Sequence, residues 1–236
     1  MGSDRMILDW MYKDGKPAHV VRVSPFRIGA TLVTVGMWRQ YLRHNFDQTM
    51  PDPPAWGWID NHPMVNVTWE DIMGSGGNGG YCRWASNVLK RQVSLPTEAQ
   101  WERAAKGGEN TKFPWGDKWN RNRVWMSGDS AIAAQRTAPV IRTTRTYTNK
   151  FGCIDMAGHV WQLCHDYYDN YNHVQRDRLG YGIVPKDPQG PRFGMMRSAR
   201  GGGWDISFPE NCRTSMRTGF HPQFGAENIG FRLVIK

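Results

Sequence analysis

The sequence predicts an α+β fold that is loop-rich, with short helices and small antiparallel sheets. Three observations lead there. Short capped helical segments are confined to the region between residues 34 and 106, β-branched segments lie near each end at 20–28 and 229–235, and the stretch from 107 to about 200 is rich in Gly, Pro, Asn, Asp and Trp with few periodic runs. At 236 residues with 39% hydrophobic and 12% aromatic content, the chain can bury one large core, so a single domain spanning 1–236 is expected.

Val20 to Ile28 (VVRVSPFRI) combines β-branched and aromatic residues with partial alternation, and reads as a strand broken near Pro25. Thr34 then stands as an N-cap before VGMWRQYLRHN, in which Met37, Tyr41 and Leu42 recur at helical spacing. Pro51, Pro53, Pro54 and Pro63 exclude regular structure between Phe46 and Pro63, leaving an ordered loop. Thr68 followed by Glu70 and Asp71 opens a second helix, because a threonine oxygen and nearby acids complement exposed amides and the helix dipole. Gly74, Gly76, Gly77, Gly79 and Gly80 interrupt it before Tyr81 to Lys90 resumes helical periodicity. Thr97 with Gln100 three residues on forms a capping box for a helix that ends at Gly107-Gly108. Ile229 to Ile235 is apolar and β-branched, and predicts one buried terminal strand.

The four cysteines Cys82, Cys153, Cys164 and Cys212 show no CxxC or zinc-type spacing, and read as reduced, buried thiols. No segment approaches the roughly eighteen apolar residues of a membrane span, and the N-terminus lacks the basic-then-apolar run of a signal peptide, so a soluble chain is expected. The net charge of +9 is uneven: Lys118, Arg121, Arg123, Arg136, Arg142, Arg145 and Lys150 face the single acid Asp129 between residues 118 and 150. That segment reads as a solvated basic loop region, with nucleic acid or another anionic surface as the alternative partner. GxSxG, P-loop and HExxH motifs are absent, and the neighbouring His159, Cys164 and His165 follow no metal-site spacing.

Several phrases occur in a telling order: Pro63-Met64-Val65-Asn66-Val67-Thr68-Trp69, Tyr81-Cys82-Arg83-Trp84, Leu95-Pro96-Thr97-Glu98-Ala99-Gln100-Trp101-Glu102-Arg103-Ala104-Ala105, and Pro114-Trp115-Gly116-Asp117. Asn149-Lys150-Phe151-Gly152, Asp155-Met156-Ala157-Gly158-His159-Val160-Trp161, Arg200-Gly201-Gly202-Gly203-Trp204 and Ile229-Gly230-Phe231-Arg232-Leu233 follow. Together they resemble the formylglycine-generating-enzyme-like, or sulfatase-modifying-factor, branch of the C-type lectin fold, across nearly the whole chain. Each phrase also has a structural role by itself. Trp69, Trp84, Trp101, Trp115, Trp161 and Trp204 are expected to anchor the core, and Gly201 to Gly203 to allow a tight backbone path before a strand.

The resemblance implies an oxidase using copper held by two cysteines five residues apart, since thiolates are the soft ligands that metal requires. Those positions fall near Glu210 and Ser215, so copper is not expected, and Cys212 between them reads as a buried thiol. It also implies calcium, which takes several oxygen ligands. One site would use Asp155, the backbones of Gly158 and Val160, and the position of Gln162, where a neutral amide in place of a carboxylate weakens it. The other would place an acid at Ala133 and an amide at Arg123, and is expected to be lost, with a guanidinium in the cation's place.

Without that redox pair, the expected use of the frame is recognition, because function resides in sites rather than folds. The segment 200–236 resembles the variable region of diversity-generating-retroelement proteins, which present a varied surface to a ligand. The positions matching varied ones are Asp205, Ile206, Ser207, Phe208, Thr218, Gly219, Phe220, His221, Phe224, Gly225 and Ala226. All are residue types that adenine substitution in Asn-type codons can produce. Met216, Gln223 and Glu227 are not, and must be fixed if the resemblance holds. The expectation is a non-catalytic ligand-binding protein whose partner is a protein or other macromolecule; the compartment stays open, with a cell surface or virion as one setting. Its rivals are an oxidoreductase of the sulfatase-modifying type with another site, and a nucleic-acid binder using residues 118–150.

Overall fold

The computed structural model describes Met1, Gly15 and residues 18–76, 79–127, 136–141, 148–169 and 184–236. Among these residues, four short helices accompany two small sheets, and loops make up much of the remainder.

Helix α1 runs from Val35 to His44, with the Thr34 side chain accepting the Met37 amide at 3.2 Å. Its buried face is Val35, Trp38 and Tyr41, while Met37 is 43% exposed. The expected face was therefore rotated, because Trp38 is the wider apolar group and stacks on Tyr81 at 5.2 Å. Helix α2 (Trp69–Met73) starts with a reciprocal capping box between Thr68 and Asp71. Helix α3 (Gly80–Leu89) resumes after the glycines, of which Gly77 lies outside the described residues. Helix α4 (Glu98–Ala105) carries the Thr97–Gln100 capping box that the sequence predicts. The three capping threonines together account for the starts of α1, α2 and α4.

Strands β1 (Arg27–Ile28), β2 (Val93–Ser94) and β7 (Val234–Ile235) form an antiparallel sheet in the order β1-β7-β2. The second sheet is ordered β5-β4-β3-β6, from β3 (Trp161–Tyr167), β4 (Arg197–Arg200), β5 (Arg217–Phe220) and β6 (Ile229–Gly230). Three expectations change here. The long stretch expected to be loop contains β3, the longest strand, whose residues Trp161 to Cys164 are all buried, so no alternation betrays it. The terminal strand is split: Ile229–Gly230 pairs in parallel with β3, and Val234–Ile235 crosses to the other sheet as its central strand. The 20–28 segment likewise contributes only β1 and an isolated bridge at Arg22.

The main core joins α1 and α3 to β3, β4 and β6, with Trp38, Tyr81 and Phe231 in mutual ring contact. A second cluster centres on Trp101 of α4, and all four cysteines are free and buried, as expected. Trp101 and Trp161 are buried anchors, whereas Trp69, Trp84, Trp115 and Trp204 are half-buried at cluster edges. Gly201 and Gly202 have positive φ of 96° and 82°, and make a tight path after β4 rather than before a strand. A Cβ on Gly202 would sit 2.9 Å from the Asn211 carbonyl oxygen, so a side chain there is excluded.

Candidate ligand-binding surface

Three arginines fix the C-terminal segment to the body of the protein. Arg200, Arg217 and Arg232 have 0, 1 and 0% exposure, which charged side chains tolerate only when paired or richly hydrogen-bonded. Arg200 bridges two acids of α4, with Nε 3.1 Å from Glu98 Oε1 and Nη2 on Glu102. It also donates to the carbonyls of Thr214 and Met216. Arg217 Nε donates to Glu98 Oε1 at 2.8 Å, and Ser198 Oγ donates to Glu98 Oε2 at 3.0 Å. Arg232 Nε donates to Gln162 Oε1 at 2.6 Å, and its other nitrogens reach the carbonyls of Gly29 and Ile154 at 2.9 and 2.7 Å. The segment is thus pinned at three points, and two loops bulge between them.

Burial pushes the Glu98 and Glu102 carboxyls up, but the guanidiniums outweigh it: Arg217 holds Glu98 below the ordinary range, and Arg200 with Lys106 brings Glu102 to about 2. Asp166 goes the other way, to about 8, through burial and the adjacent Glu98 charge. Its Oδ2 accepts the Glu98 backbone amide at 3.0 Å. Unfolded Asp166 titrates near the usual ~3.9, so folding takes up a proton between about pH 4 and 8, and stability from this group declines as pH rises through that window. Glu98 and Glu102 contribute the reverse, losing stability as pH falls below the ordinary carboxylate range. Asp166→Asn is expected to fold and to flatten the alkaline side of a Tm-against-pH profile; an unchanged slope between pH 5 and 9 contradicts the assignment.

The first loop carries Asp205, Ile206, Ser207 and Phe208. Asp205, Ser207 and Phe208 are exposed, Phe208 at 62%, while Ile206 is half-buried against the Phe113 cluster. Ser127 Oγ donates to the Ile206 carbonyl at 2.8 Å and holds this loop from below. The second loop follows Thr218 to Phe220 at the end of β5, carries His221 to Ala226, and lies on the start of α2, where the Pro222 carbonyl accepts the Glu70 amide. His221 and Phe224 are exposed, and Phe224 stacks on Phe220, which contacts Trp161 edge-on. Thr218, Phe220, Gly225 and Ala226 are half-buried, as is Gly219.

Two of the expected contact positions are constrained by geometry. A Cβ on Gly219 would fall 2.7 Å from the Tyr168 ring, and one on Gly225 would fall 2.8 Å from the Asn66 backbone. Both therefore serve close approach rather than variation, and the open positions narrow to Asp205, Ser207, Phe208, His221 and Phe224.

Residues that sequence reasoning left out join the two loops. Asn228 Nδ2 donates to Asp205 Oδ2 at 2.9 Å, and Trp204 Nε1 donates to the Glu227 carbonyl at 3.0 Å. Trp56 packs edge-on against Trp204 at 5.7 Å, and the Glu227 carboxylate accepts the Ala55 amide. Gln223 donates to Glu70 at 3.2 Å, and half-buried Met216 packs on the main core. Met216, Gln223 and Glu227 thus all have framework contacts. Their exclusion from the adenine pattern was the available signal.

The metal candidates resolve into internal wiring. Gln162 Oε1 accepts both Trp101 Nε1 and Arg232 Nε, at 2.8 and 2.6 Å, while Gln162 Nε2 donates to the Asp155 carbonyl at 2.7 Å. His159 Nε2 accepts the Ala138 amide at 3.0 Å, so its Nδ1 carries the proton donated to Asp155 Oδ2 at 2.8 Å. Gly158 donates its amide to Gly201, and Val160 is wholly buried. Of the oxygens the resemblance would offer to calcium, the Gln162 amide oxygen, Asp155 Oδ2 and the Asp155 carbonyl already accept the chain's own donors. Among the described residues no group of three His, Cys, Asp or Glu side chains is placed to hold a metal. Cys164 and His165 point to opposite faces of β3. Ala133 lies outside the described residues, and Arg123 Nη2 donates to the Thr148 carbonyl at 2.9 Å.

The positions that the resemblance would give to copper ligands hold other groups. Glu210 pairs with Lys112 at 3.2 Å, Ser215 is buried, and Cys212 is fully buried with its thiol pushed by burial to about 12.

In the basic segment, Arg121 donates to the Val124 carbonyl at 2.9 Å and also to Met126, and Lys150 pairs with Glu109. Arg142, Arg145 and Asp129 lie outside the described residues. No helix among the described residues is long and apolar enough to cross a membrane.

The arrangement defines a C-type-lectin-like domain whose C-terminal loops are carried on a buried Arg–Glu frame. The family model for the sulfatase-modifying factor enzyme 1-like domain matches residues 1–236, and the chain belongs to that family. It is similar to the formylglycine-generating enzyme of Streptomyces coelicolor, at 28% identity over 93% of this chain and 81% of that protein. It is also similar to the inactive C-alpha-formylglycine-generating enzyme 2 of Mus musculus, at 26% identity over 93% of this chain and 78% of that protein. The chain spans 55% and 58% of two further formylglycine-generating enzymes. Among solved structures, Treponema denticola variable protein 1 superposes with a TM-score of 0.72 at 23% identity, covering 95% of this chain and 89% of that one.

Proposed function

We propose that this protein is a non-catalytic ligand-binding protein, presenting the loops of segment 200–236 to a protein or other macromolecular partner. The observation that carries the reading is the state of the would-be copper site: Glu210 in an ion pair, Ser215 buried, and Cys212 sealed between them. The five open positions combine two exposed phenylalanines with His221, Ser207 and Asp205, the mixture of aromatic anchors and adaptable polar groups that binding loops use. The fold likeness to a variable protein shows that such a frame occurs in that setting; the assignment to retroelement diversification rests on this chain's own residues.

The test has two arms. In the first, the protein is titrated with copper and assayed for oxidation of a cysteine-containing peptide; no turnover is expected, and turnover restores the oxidoreductase reading. In the second, Asp205, Ser207, Phe208, His221 and Phe224 are randomised together. Most variants are expected to keep the parent Tm to within about 3 °C, since surface changes usually lie within about 0.5 kcal/mol each. Collapse of most variants would remove these loops from consideration as a binding surface. A reverse-transcriptase gene beside a near-copy of the DNA encoding Arg200 to Lys236, differing at adenines, is the expected genomic correlate.

A further inference from the structure

A polar cleft of about 530 Å³ opens between the end of α1, helix α2 and the start of α3, apart from the residues assigned above to binding. Tyr41 and Trp84 form its aromatic side, and Asp47, Glu70 and Asp71 its acidic side, on a chain whose net charge is +9. Each of these carboxylates is engaged through one oxygen with a neutral donor: Asp47 with Gln48, Glu70 with Gln223, and Asp71 with Thr68. None pairs with a cation among the described residues, and Arg83 on the rim pairs with no anion. The negative potential reaches the aromatic side: after burial itself, Asp47 and Asp71 are the charges that raise the Tyr41 phenol above its usual range. The indole N–H of Trp84 is a buried donor with no acceptor.

These features select a ligand class. The acids do not form a group able to hold a metal ion, so a compact divalent cation is a poor fit. An extended organic cation suits the space better. Its ammonium would meet the carboxylates, and its methylene stem would lie against Tyr41 and Trp84. We propose that this cleft binds an alkylammonium group, the lysine side chain of a peptide or a free polyamine. The site stands independently of the reading given to segment 200–236, and either can fail without the other.

The test follows the indole N–H of Trp84 by NMR in the full chain, its peak identified as the one lost in Trp84→Phe. The protein is titrated with spermidine, with acetyl-Gly-Lys-Gly-amide, and with the same peptide carrying norleucine in place of lysine, all at matched ionic strength. Saturable displacement of the peak by spermidine or the lysine peptide, and not by the norleucine peptide, is expected; the probe saturating at lower concentration identifies the source. Asp47→Asn with Glu70→Gln is expected to weaken binding about tenfold, the size for two partly screened charges. No saturable displacement, an equal response to norleucine, or full affinity in the double variant overturns the proposal. The norleucine comparison on the parent chain decides the matter even where the double variant does not fold.

Discussion

Glu98→Ala is expected to destabilise the protein by about 3–5 kcal/mol, the range for removing one partner of a buried ion pair, a fall in Tm of roughly 10 °C. Alanine is the best helix former, so the substitution does not harm α4 as a helix. What it removes is the shared anion on which the Arg200 and Arg217 side chains converge, and the acceptor of Ser198. Removing one partner of such a group leaves the other charges in a medium that penalises them. Thermal or urea unfolding reads the loss, with Glu109→Ala, an exposed carboxylate of the α4–Phe113 connection, as the comparison expected to cost under about 1 kcal/mol. Equal effects of the two substitutions would falsify the view that Glu98 anchors the C-terminal frame.

Arg232→Ala is expected to cost about 3 kcal/mol or more, because it strands Gln162 Oε1 and the carbonyls of Gly29 and Ile154 without the donors that now satisfy them. The position also ties β6 and β7 to the rest of the molecule, since Arg232 lies between them in the chain. The same substitution tests the metal reading. If Arg232 and Gln162 complete the polar interior unaided, millimolar calcium raises the Tm of neither the parent nor the variant, and a chelator lowers neither. A calcium-dependent rise in either protein would show that an ion belongs among Asp155, Gly158, Val160 and Gln162.

The sequence by itself determined the local helix starts. Threonine caps at 34, 68 and 97 act over three residues, so they were legible without knowing any tertiary neighbour. The thiol content was legible for the same reason: four cysteines without paired spacing are free and buried in the fold. The family phrases carried the architecture, because they record a whole fold rather than a local preference. Glu210 and Ser215 were legible as standing where the resemblance would place copper-binding cysteines, since ligand identity is a property of the residue itself.

Only the tertiary structure decided what the remaining residues do. β3 carried no alternation because both its faces are buried, and 229–235 read as one strand although its two ends pair in different sheets. Arg200, Arg217 and Arg232 received no role from the sequence, and they lie in the interior because Glu98, Glu102, Gln162 and backbone carbonyls meet them across long sequence separations. Gly219 and Gly225 read as contact positions, but the neighbouring Tyr168 ring and Asn66 backbone leave no space for a side chain. Pairing and close approach depend on which atoms arrive from elsewhere in the chain, and folding alone brings those atoms together.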